Sequence, residues 1–588
     1  MPDIYVFQKN KYRLVFLALT VLLMILVIRL FYFMIFASRQ LSDKARDVEQ
    51  RERTIKAARG IIYDRNGKVL ADNRPVSTIS VIYHQVKEPE KVIKLLSSKL
   101  GLSEGEIRKK VEKISSREKI KSNVPKETAD AIRRAGLSGI KVDEDYKRHY
   151  PHDELASKVL GFTGADNQGI LGLESEYEDI LRGKDGKILT MTDFMGVEVE
   201  DAAEERQEPV SGKNLWLSLD YNIQCYAQQA AWKVLKEKNA KRVSVILMNP
   251  ANGEIYAMVS LPEYDLNQPF RLQTSDQEEK ESSSGKETSE KENRPADHNK
   301  MNEELNNMWR NPLISDSYEP GSTFKIVTAT AALSEGRVSV TDTFFCPGFR
   351  IVEDRKIRCH KSGGHGRETF REGVMNSCNP VFMDIGARVG AQAMLKWYRN
   401  LGLYEKTGVD LPGEASSIMH KLNDIGAVEL ATMSFGQSIQ ITPLQLLRAV
   451  SAVVNGGTLV TPHFAVKTED PVTGKTKTFA YPEKRGCVTK EVSQTMKELL
   501  EAVVSEGTGK KGAVAGYRIG GKTATSEKLP RRNNKYISSF LGFAPADDPK
   551  IMGLILIDEP EGVYYGGTVA APVMAEIFEN VLPCLDNL

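Results

Sequence analysis

A long apolar segment near the N-terminus constrains the fold of this chain most strongly. Residues 14 to 37 form a run of 24 residues that is apolar except for Thr20 and Arg29. An α-helix of this length can cross the hydrocarbon core of a bilayer. No small-residue cleavage site is evident after it, so we expect an uncleaved membrane anchor rather than a signal peptide.

The charges around this segment predict its orientation. Lys9, Lys11 and Arg13 precede the apolar run, and Asp3 carries the one negative side-chain charge in that segment. Positive charge favours the cytoplasmic side, so residues 1–13 should form a cytoplasmic tail. No second apolar run of comparable length is evident, and we therefore expect residues 38–588 to lie outside the cytoplasm.

Length, charge and cysteine content restrict the remaining choices. A chain of 588 residues is too long for one hydrophobic core and predicts two or three domains. The formal net charge of +2 is close to neutral, so nothing indicates a nucleic-acid partner. The six cysteines are irregularly spaced and do not suggest a disulfide scaffold.

Three short motifs occur in a fixed order in the second half of the chain. Ser322 to Lys325 spell S-x-x-K, and Ser377-Cys378-Asn379 spell S-x-N 55 residues later. Gly521 to Thr525 supply a K-T-x motif about 145 residues further on. Each motif alone occurs by chance, but this order marks serine acyltransferases that react with penicillin.

Each motif residue has a chemical role to fill. The hydroxyl of Ser322 is a poor nucleophile until a base takes its proton, and Lys325 shares its helix face at i+3. Burial and the second cation of Lys522 would lower the pKa of Lys325 toward that of a working base. A helix N-terminus at Ser322 would favour a developing oxyanion. Ser377 can relay a proton, and Asn379 can bind the backbone of a substrate.

The third motif has a second interpretation. Residues 516–523 also match G-x-x-x-x-G-K-[ST], the phosphate-binding loop, which requires a helix directly after it. Here the pattern ends at Pro530 within seven residues of Thr523, and a turn follows. We therefore expect Lys522 and Thr523 to bind a carboxylate at the substrate terminus instead of a nucleotide.

The sequence around these motifs resembles the class B penicillin-binding proteins, and residues 318–325 favour their division and sporulation branch. Residues 59–71, 148–151 and 161–174 resemble blocks of the N-terminal domain of that family. The resemblance implies a mixed α/β (α+β) fold. It predicts a transmembrane helix, an N-terminal pedestal (dimerisation) domain over 38–208, and a serine β-lactamase-like transpeptidase domain over 209–588, with an antiparallel sheet flanked by helices. Residues 272–300 are rich in Ser, Glu and Lys and predict a disordered insertion.

The resemblance also implies an activity. It is peptidoglycan D,D-transpeptidation through an acyl-enzyme on Ser322, with D,D-carboxypeptidase activity as a side reaction and acylation by β-lactams. The N–H groups of Ser322 and Thr525 would form the oxyanion hole, and Thr523, Ala524 and Thr525 would line the substrate strand. No metal or organic cofactor is implied, and a membrane-embedded glycan polymerase and other cell-wall synthesis proteins are the implied partners. Ala524 stands where the family usually has Gly. The extra methyl group is small, so we expect the site to tolerate it, with altered acylation by β-lactams.

The cysteines near S-x-N leave three interpretations open. Cys346, Cys359 and Cys378 are first of all consistent with small apolar core residues. By resemblance to the sporulation branch, Cys359 and Cys378 form a redox-sensitive disulfide. A zinc site from Cys346, Cys359, His360 and His365 is the third alternative, although it lacks paired C-x-x-C spacing.

Two functions of other classes compete with catalysis. A β-lactam sensor would acylate and signal, but thirteen residues before the apolar run are too few for a cytoplasmic effector. A non-catalytic scaffold would keep the fold and recruit partners, and the intact Ser322, Lys325 and Lys522 argue against it.

Local patterns predict the following elements: a stalk over 38–58, a hairpin over 61–71, two helices within 88–135, a strand at 215–220, a helix at 221–238, a hairpin over 244–260, a hairpin over 349–356, strands at 536–545 and 551–559, and a helix at 571–582.

Overall fold

The computed structural model describes residues 3–37, 50–115, 117–191, 205–272 and 295–585. They divide into two compact units that the chain enters more than once. One unit holds residues 1–58, 74–147 and 183–211, and the other holds residues 59–73, 148–182 and 212–588. The first part of the predicted stalk and residues 273–294 of the predicted insertion lie outside the described residues. The predicted domain limits at 208 and 209 stay a prediction.

The helices and strands are numbered here in chain order. The helices are α1 Asp3–Ile35, α2 Pro89–Leu100, α3 Glu104–Val111, α4 Lys126–Arg134, α5 Ser157–Leu160, α6 Gly172–Glu176, α7 Glu178–Leu181, α8 Tyr221–Glu237, α9 Pro295–Trp309, α10 Pro312–Ser315, α11 Lys325–Ser334, α12 Phe370–Met375, α13 Asn379–Val389, α14 Ala391–Asn400, α15 Ala427–Met433, α16 Pro443–Val454, α17 Lys490–Ser505 and α18 Gly566–Leu585. The strands are β1 Gln50–Ile55, β2 Ile62–Tyr63, β3 Val69–Val81, β4 Glu118–Pro125, β5 Ile140–His149, β6 Gly186–Met191, β7 Glu205–Gln207, β8 Asn214–Leu217, β9 Arg242–Met248, β10 Ile255–Leu261, β11 Thr343–Cys346, β12 Phe349–Val352, β13 Arg355–Arg358, β14 Gly366–Thr369, β15 Ala465–Glu469, β16 Thr476–Thr478, β17 Gly520–Glu527, β18 Tyr536–Ala544 and β19 Ile551–Asp558.

Two helices among the described residues are long and apolar enough to cross a membrane. Within α1, the segment Lys11–Ile35 has a mean hydropathy of 2.9 and buries none of its surface inside the protein. Helix α18 is half buried and packs in the core of its unit, so we assign it to the soluble part. The structure therefore agrees with the predicted N-terminal anchor. Helix α1 begins at Asp3, before the apolar run that starts at residue 14.

The smaller unit is built around an apolar cluster on helices α2, α3 and α4. Val92, Ile93 and Ile107 are fully buried in this cluster. The prediction of two helices between residues 88 and 135 was wrong, because the segment holds three helices and a strand. Strand β4 shows the alternating burial of a half-buried strand and pairs antiparallel with Val76–Val81 of β3.

The larger unit contains a five-stranded antiparallel sheet in the order β10-β9-β19-β18-β17. Alternate side chains of β9 enter two different apolar clusters. Val243, Val245 and Leu247 pack with α8 and α18 on one face, and Ile246 and Met248 face the cluster of the other side. Helices thus cover both faces of the sheet, which confirms the predicted fold class.

Several predicted elements of this unit are confirmed. They are the hairpins β2–β3, β9–β10 and β12–β13, helix α8, and strands β18 and β19. The predicted strand at 215–220 exists as β8, but it pairs with β2 and β15 rather than with the five-stranded sheet. The predicted last helix is longer at both ends, as α18.

Candidate active site

Ser322 lies in a short 3-10 turn, Gly321–Phe324, that leads directly into α11. The α-helix therefore begins at Lys325, three residues later than the predicted start. A 3-10 turn aligns residues i and i+3, which is compatible with Ser322 and Lys325 on one face. The predicted contact between the Lys325 amine and the Ser322 hydroxyl stays a prediction. Ser322 is half-buried, whereas most of α11 is fully buried.

Close backbone packing holds this turn. The N–H of Gly321 donates to the carbonyl of Gly436 at 2.9 Å. A Cβ on Gly436 would lie 2.2 Å from the Gly321 carbonyl oxygen, and a Cβ on Gly321 would lie 2.4 Å from the Ser526 Oγ. Both glycines also have positive φ angles, 57° and 80°. Glycine is required at both positions because a side chain would collide and strain the backbone.

Lys325 joins the first motif to the second. Its Nζ donates to the Ser377 carbonyl at 2.6 Å, to the Ser377 Oγ at 3.3 Å and to the Asn379 Oδ1 at 2.7 Å. Burial lowers the pKa of Lys325 to about 8, although the nearby Cys378 and Cys359 thiols and the Glu368 carboxyl oppose that shift. A lysine with this pKa can hold and release a proton near neutral pH.

Lys522 brings the third motif to the same place. Its side chain is fully buried on strand β17, and its Nζ donates to the Thr523 carbonyl at 3.3 Å. Burial and the charge of Lys325 hold the pKa of Lys522 well below its ordinary value. Lys522 and Thr523 lie within a strand, and the next element along the described chain is strand β18. This geometry excludes the phosphate-binding loop, which needs a helix there.

Ser377 has a strained backbone. Its φ of 54° lies in the left-handed region, which costs a non-glycine residue about 1–3 kcal/mol. The residue lies between α12, whose N-terminus has a capping box formed by Thr369 and Glu372, and α13, which begins at Asn379. Such strain is typical of functional sites, and here it directs Ser377 toward Lys325.

Strand β17 is held in place by residues that sequence patterns did not indicate. The Thr523 Oγ1 donates to the Thr508 Oγ1 at 3.3 Å, and the Thr525 Oγ1 accepts from the N–H of Gly566 at 3.0 Å. Ala524 is buried between them. Thr508 and Gly566 carried no signal in the sequence, because they belong to no motif and reach the strand only through the fold.

An ion pair fastens the segment before Ser322. The Arg531 Nη2 donates to both carboxylate oxygens of Glu319, at 2.9 and 2.8 Å. The Glu319 Oε1 also accepts from the N–H of Ser438 at 2.8 Å. Glu319 is nearly buried, whereas Arg531 is partly exposed. This contact ties the connection after β17 to the loop that precedes Ser322.

Three cysteines and a histidine converge beside S-x-N. One ring nitrogen of His365 and the sulfur atoms of Cys346, Cys359 and Cys378 all lie within 4.8 Å of one another. All six cysteines fall within the described ranges and are free thiols. The Cys378 thiol interacts with the Cys359 sulfur, which lowers the pKa of Cys359 and raises that of Cys378. Cys359 and Cys378, the predicted redox pair, therefore lie close together. A disulfide between them stays a prediction. The zinc alternative stays a prediction. Its residues Cys346, Cys359 and His365 lie in this group with Cys378, and the exposed His360 lies outside it, with its Nδ1 3.8 Å from the Cys359 Sγ.

Comparisons with known proteins agree with this site. Residues 243–579 match the penicillin-binding protein transpeptidase domain, and residues 54–217 match the penicillin-binding protein dimerisation domain. The chain is 39% identical over 97% of its length to stage V sporulation protein D of Bacillus subtilis, covering 85% of that protein. It is 30% identical over 98% of its length to the probable peptidoglycan D,D-transpeptidase PenA of Neisseria meningitidis, covering 93% of it.

A solved structure shows the same fold at lower identity. Penicillin-binding protein 2X from Streptococcus thermophilus superposes with a TM-score of 0.72 at 22% identity, with coverage of 91% of this chain and 80% of that one. Together with the sequence matches, this result shows that the chain belongs to the class B penicillin-binding proteins.

Proposed function

We propose that this chain is a peptidoglycan D,D-transpeptidase that forms an acyl-enzyme on Ser322. The contact of the Lys325 Nζ with both Ser377 and Asn379 carries the proposal, because it assembles a base, a proton relay and a substrate ligand around one buried amine. The relatives named as peptidoglycan D,D-transpeptidases support the reaction class.

The reaction has two acyl transfers. The neutral amine of Lys325 takes the proton of Ser322, whose Oγ attacks the carbonyl of the penultimate D-Ala of a stem peptide. The peptide C–N bond breaks, and Ser377 passes the proton to the leaving amine of the terminal D-Ala. An amine from a neighbouring stem peptide then attacks the ester and releases Ser322. Water in place of that amine would give D,D-carboxypeptidase activity.

The remaining site residues bind and orient the substrate in this proposal. Asn379 would hydrogen-bond the stem-peptide backbone, and Lys522 with Thr523 and Thr525 would bind the terminal carboxylate. The N–H groups of Ser322 and Thr525 would stabilise the oxyanion. A β-lactam carries the same carboxylate beside a reactive carbonyl, so it would acylate Ser322 and persist there.

Helix α1 supports a membrane location for this reaction. We propose that residues 1–13 lie in the cytoplasm and that the catalytic unit lies outside, where stem peptides are found. A membrane-embedded glycan polymerase would supply the glycan strands. Protease added to intact protoplasts should digest the catalytic unit, and full protection from the protease would contradict this orientation.

Intact-mass labelling of the detergent-solubilised full chain with a penicillin tests the nucleophile. We expect one adduct per chain, absent in Ser322→Ala and present in the matched control Ser505→Ala, whose serine is exposed. A chain that folds but takes no adduct, with or without reductant, would favour the non-catalytic scaffold. An adduct without cross-linking of stem peptides by the unlabelled protein would instead favour a β-lactam sensor.

A further inference from the structure

We propose that Cys346, Cys359, His365 and Cys378 form a zinc site beside the catalytic S-x-N motif. Their ligand atoms all lie within 4.8 Å of one another, and three of the four residues are buried. Three thiolates and one imidazole are a common ligand set of structural zinc, which binds four such ligands in a tetrahedron. Soft sulfur ligands also select zinc over calcium and magnesium, which prefer oxygen.

The spacing of the donor atoms fits this geometry. With Zn–S bonds of about 2.3 Å and a Zn–N bond of about 2.0 Å, neighbouring ligands of a tetrahedral site lie about 3.5–3.8 Å apart. The three sulfur atoms and one ring nitrogen of His365 lie within 4.8 Å of one another, about 1 Å more than this ideal spacing at most. The four ligands need only small side-chain shifts to surround one ion.

The fold brings these ligands from four separate segments. Cys346 ends β11, Cys359 directly follows β13, and His365 directly precedes β14. Strands β11 and β14 are paired, with Cys346 opposite Gly366, which places the first and third ligands side by side. Cys378 arrives from the turn between α12 and α13.

Glu368 supplies independent support. Its side chain is buried, and its Oε2 has no hydrogen-bond partner among the described residues. That oxygen lies 3.7 Å from the His365 Nδ1, while the other oxygen accepts from the Asn376 Nδ2 at 2.6 Å. Metal-binding histidines commonly donate their second ring N–H to such a carboxylate, so zinc bound through the Nε2 of His365 would leave the Nδ1–H for this oxygen. His365 bound in this way would give the unpaired oxygen a partner.

The position of the site gives it a consequence for catalysis, which rests on the proposed function. Cys378 lies between Ser377 and Asn379, and the Asn379 Nδ2 donates to the Arg358 carbonyl at 3.1 Å, one residue before Cys359. Zinc would therefore fasten the S-x-N turn to the adjoining hairpin and hold the strained backbone of Ser377. The ligands are positioning residues in this role.

A Cys359–Cys378 disulfide would consume two of the same sulfurs, so the two states exclude each other. The disulfide leaves the convergence of Cys346 and His365 and the unpaired oxygen of Glu368 without explanation. We therefore argue for zinc and treat the disulfide as an outcome of the test.

Elemental analysis of the full chain, purified in detergent without chelator and under mild reduction, tests the site. We expect about one zinc per chain, lost in Cys346→Ser and His365→Ala. Cys487→Ser is the matched control, because Cys487 is also buried and free but lies outside the cluster, and it should keep its zinc. Glu368→Gln retains all four ligands, and we expect it to weaken zinc affinity about 10–100-fold.

A second measurement avoids reliance on variants that fail to fold. Co²⁺ added to the metal-free wild-type chain should produce thiolate-to-cobalt charge-transfer absorption. Absence of that absorption, together with a wild-type chain that stays metal-free in excess zinc, would overturn the proposal. A Cys359–Cys378 disulfide found by peptide mass in the protein as purified would overturn it too.

Penicillin labelling separates this proposal from the proposed function. Zinc binding without any adduct would contradict the transpeptidase and leave the site standing. Equal labelling rates with and without bound zinc would contradict the positioning role alone.

Discussion

At the scale of single residues, the site depends on two lysines that the fold removes from water. Lys325 and Lys522 are buried, and burial lowers the pKa of both. A buried ammonium is costly unless it is hydrogen-bonded, and Lys325 meets this need with three acceptors from the S-x-N segment. The same contacts therefore hold the S-x-N segment in place and position the amine of Lys325, the proposed base.

The first prediction concerns pH. Burial lowers the pKa of Lys325 to about 8, and its neutral amine is the proposed base, so the rate of Ser322 acylation should rise as pH increases toward 8 and then level off. Below that pKa the rate should fall about tenfold per pH unit. The second-order rate constant for a fluorescent penicillin measures this dependence. Lys325→Arg keeps the charge but stays protonated, and we expect a loss of about 10²-fold or more. A pH profile that is flat between 6 and 9 would contradict this role.

The second prediction concerns Ala524, which stands where the family usually has Gly. Its Cβ lies 3.7 Å from the point that a Cβ on Gly321 would occupy, so the methyl faces the turn that carries Ser322. Ala524→Gly should lower the free energy of unfolding by about 0.5–1 kcal/mol, because glycine weakens a strand. We expect it to raise the acylation rate by up to about tenfold, the effect of one methyl group in a pocket.

Ala544→Gly is the control for that experiment, since Ala544 is buried in the neighbouring strand β18. We expect Ala544→Gly to lower the free energy of unfolding by a similar amount and to leave the acylation rate unchanged. Equal acylation by the wild type and Ala524→Gly would show that the extra methyl does not hinder the substrate.

At the scale of elements, short connections place the motifs. The turn Gly321–Phe324 packs against Gly436, and the segment between α12 and α13 carries both Ser377 and Asn379. The ion pair of Arg531 with Glu319 connects the segment after β17 to the loop before Ser322. The candidate site residues thus lie on short connecting segments that the sheet and the helices hold in place.

The third prediction tests that tie. Arg531→Ala would leave the nearly buried Glu319 carboxylate without the guanidinium group that contacts both its oxygens, which should lower the free energy of unfolding by about 1–3 kcal/mol. It should also slow acylation, because the loop before Ser322 loses a constraint. Thermal unfolding and penicillin labelling measure the two effects. Arg532→Ala, at an exposed neighbour, is the control and should change neither. Equal stability and equal acylation rates for Arg531→Ala and Arg532→Ala would contradict the structural role of Arg531.

At the scale of the whole molecule, residues far apart in sequence share one polar core within the larger unit. Glu174 is fully buried between two arginines, with the Arg59 Nε at 2.5 Å and the Arg148 Nε at 2.7 Å. These three residues come from segments that resemble the N-terminal domain of the family, yet they belong to the compact unit that contains the transpeptidase sheet.

The fourth prediction addresses this core. Glu174→Gln would remove the counter-charge of the buried Arg148 and leave Arg59 with only Glu178, 2.6 Å from its Nη1, and we expect a loss of about 3–5 kcal/mol in the free energy of unfolding. Glu176→Gln, two residues away and exposed, should have almost no effect. Denaturant unfolding of the full chain measures both. The arginines hold the pKa of Glu174 below its ordinary value despite burial, so the stability it contributes is present above the unfolded-state pKa. That stability should be lost as pH falls through the lower folded-state pKa. A Glu174→Gln chain as stable as the wild type would contradict the account.

Features that depend on local pattern could be predicted from the amino-acid sequence. The apolar run at the N-terminus, the hairpins, helix α8 and the ordered motifs each follow from spacing within a few tens of residues, where periodicity and turn chemistry act directly. The i, i+3 relation of Ser322 and Lys325 is local in the same sense.

Contacts between distant segments appear in the folded protein alone. The fold places β8 beside β2 and β15, puts a strand among three helices before residue 135, and gathers Cys378 with Cys346, Cys359 and His365. It also joined Arg531 to Glu319. Such contacts leave no local pattern, because they depend on packing and hydrogen bonding between residues that only the folded chain brings together.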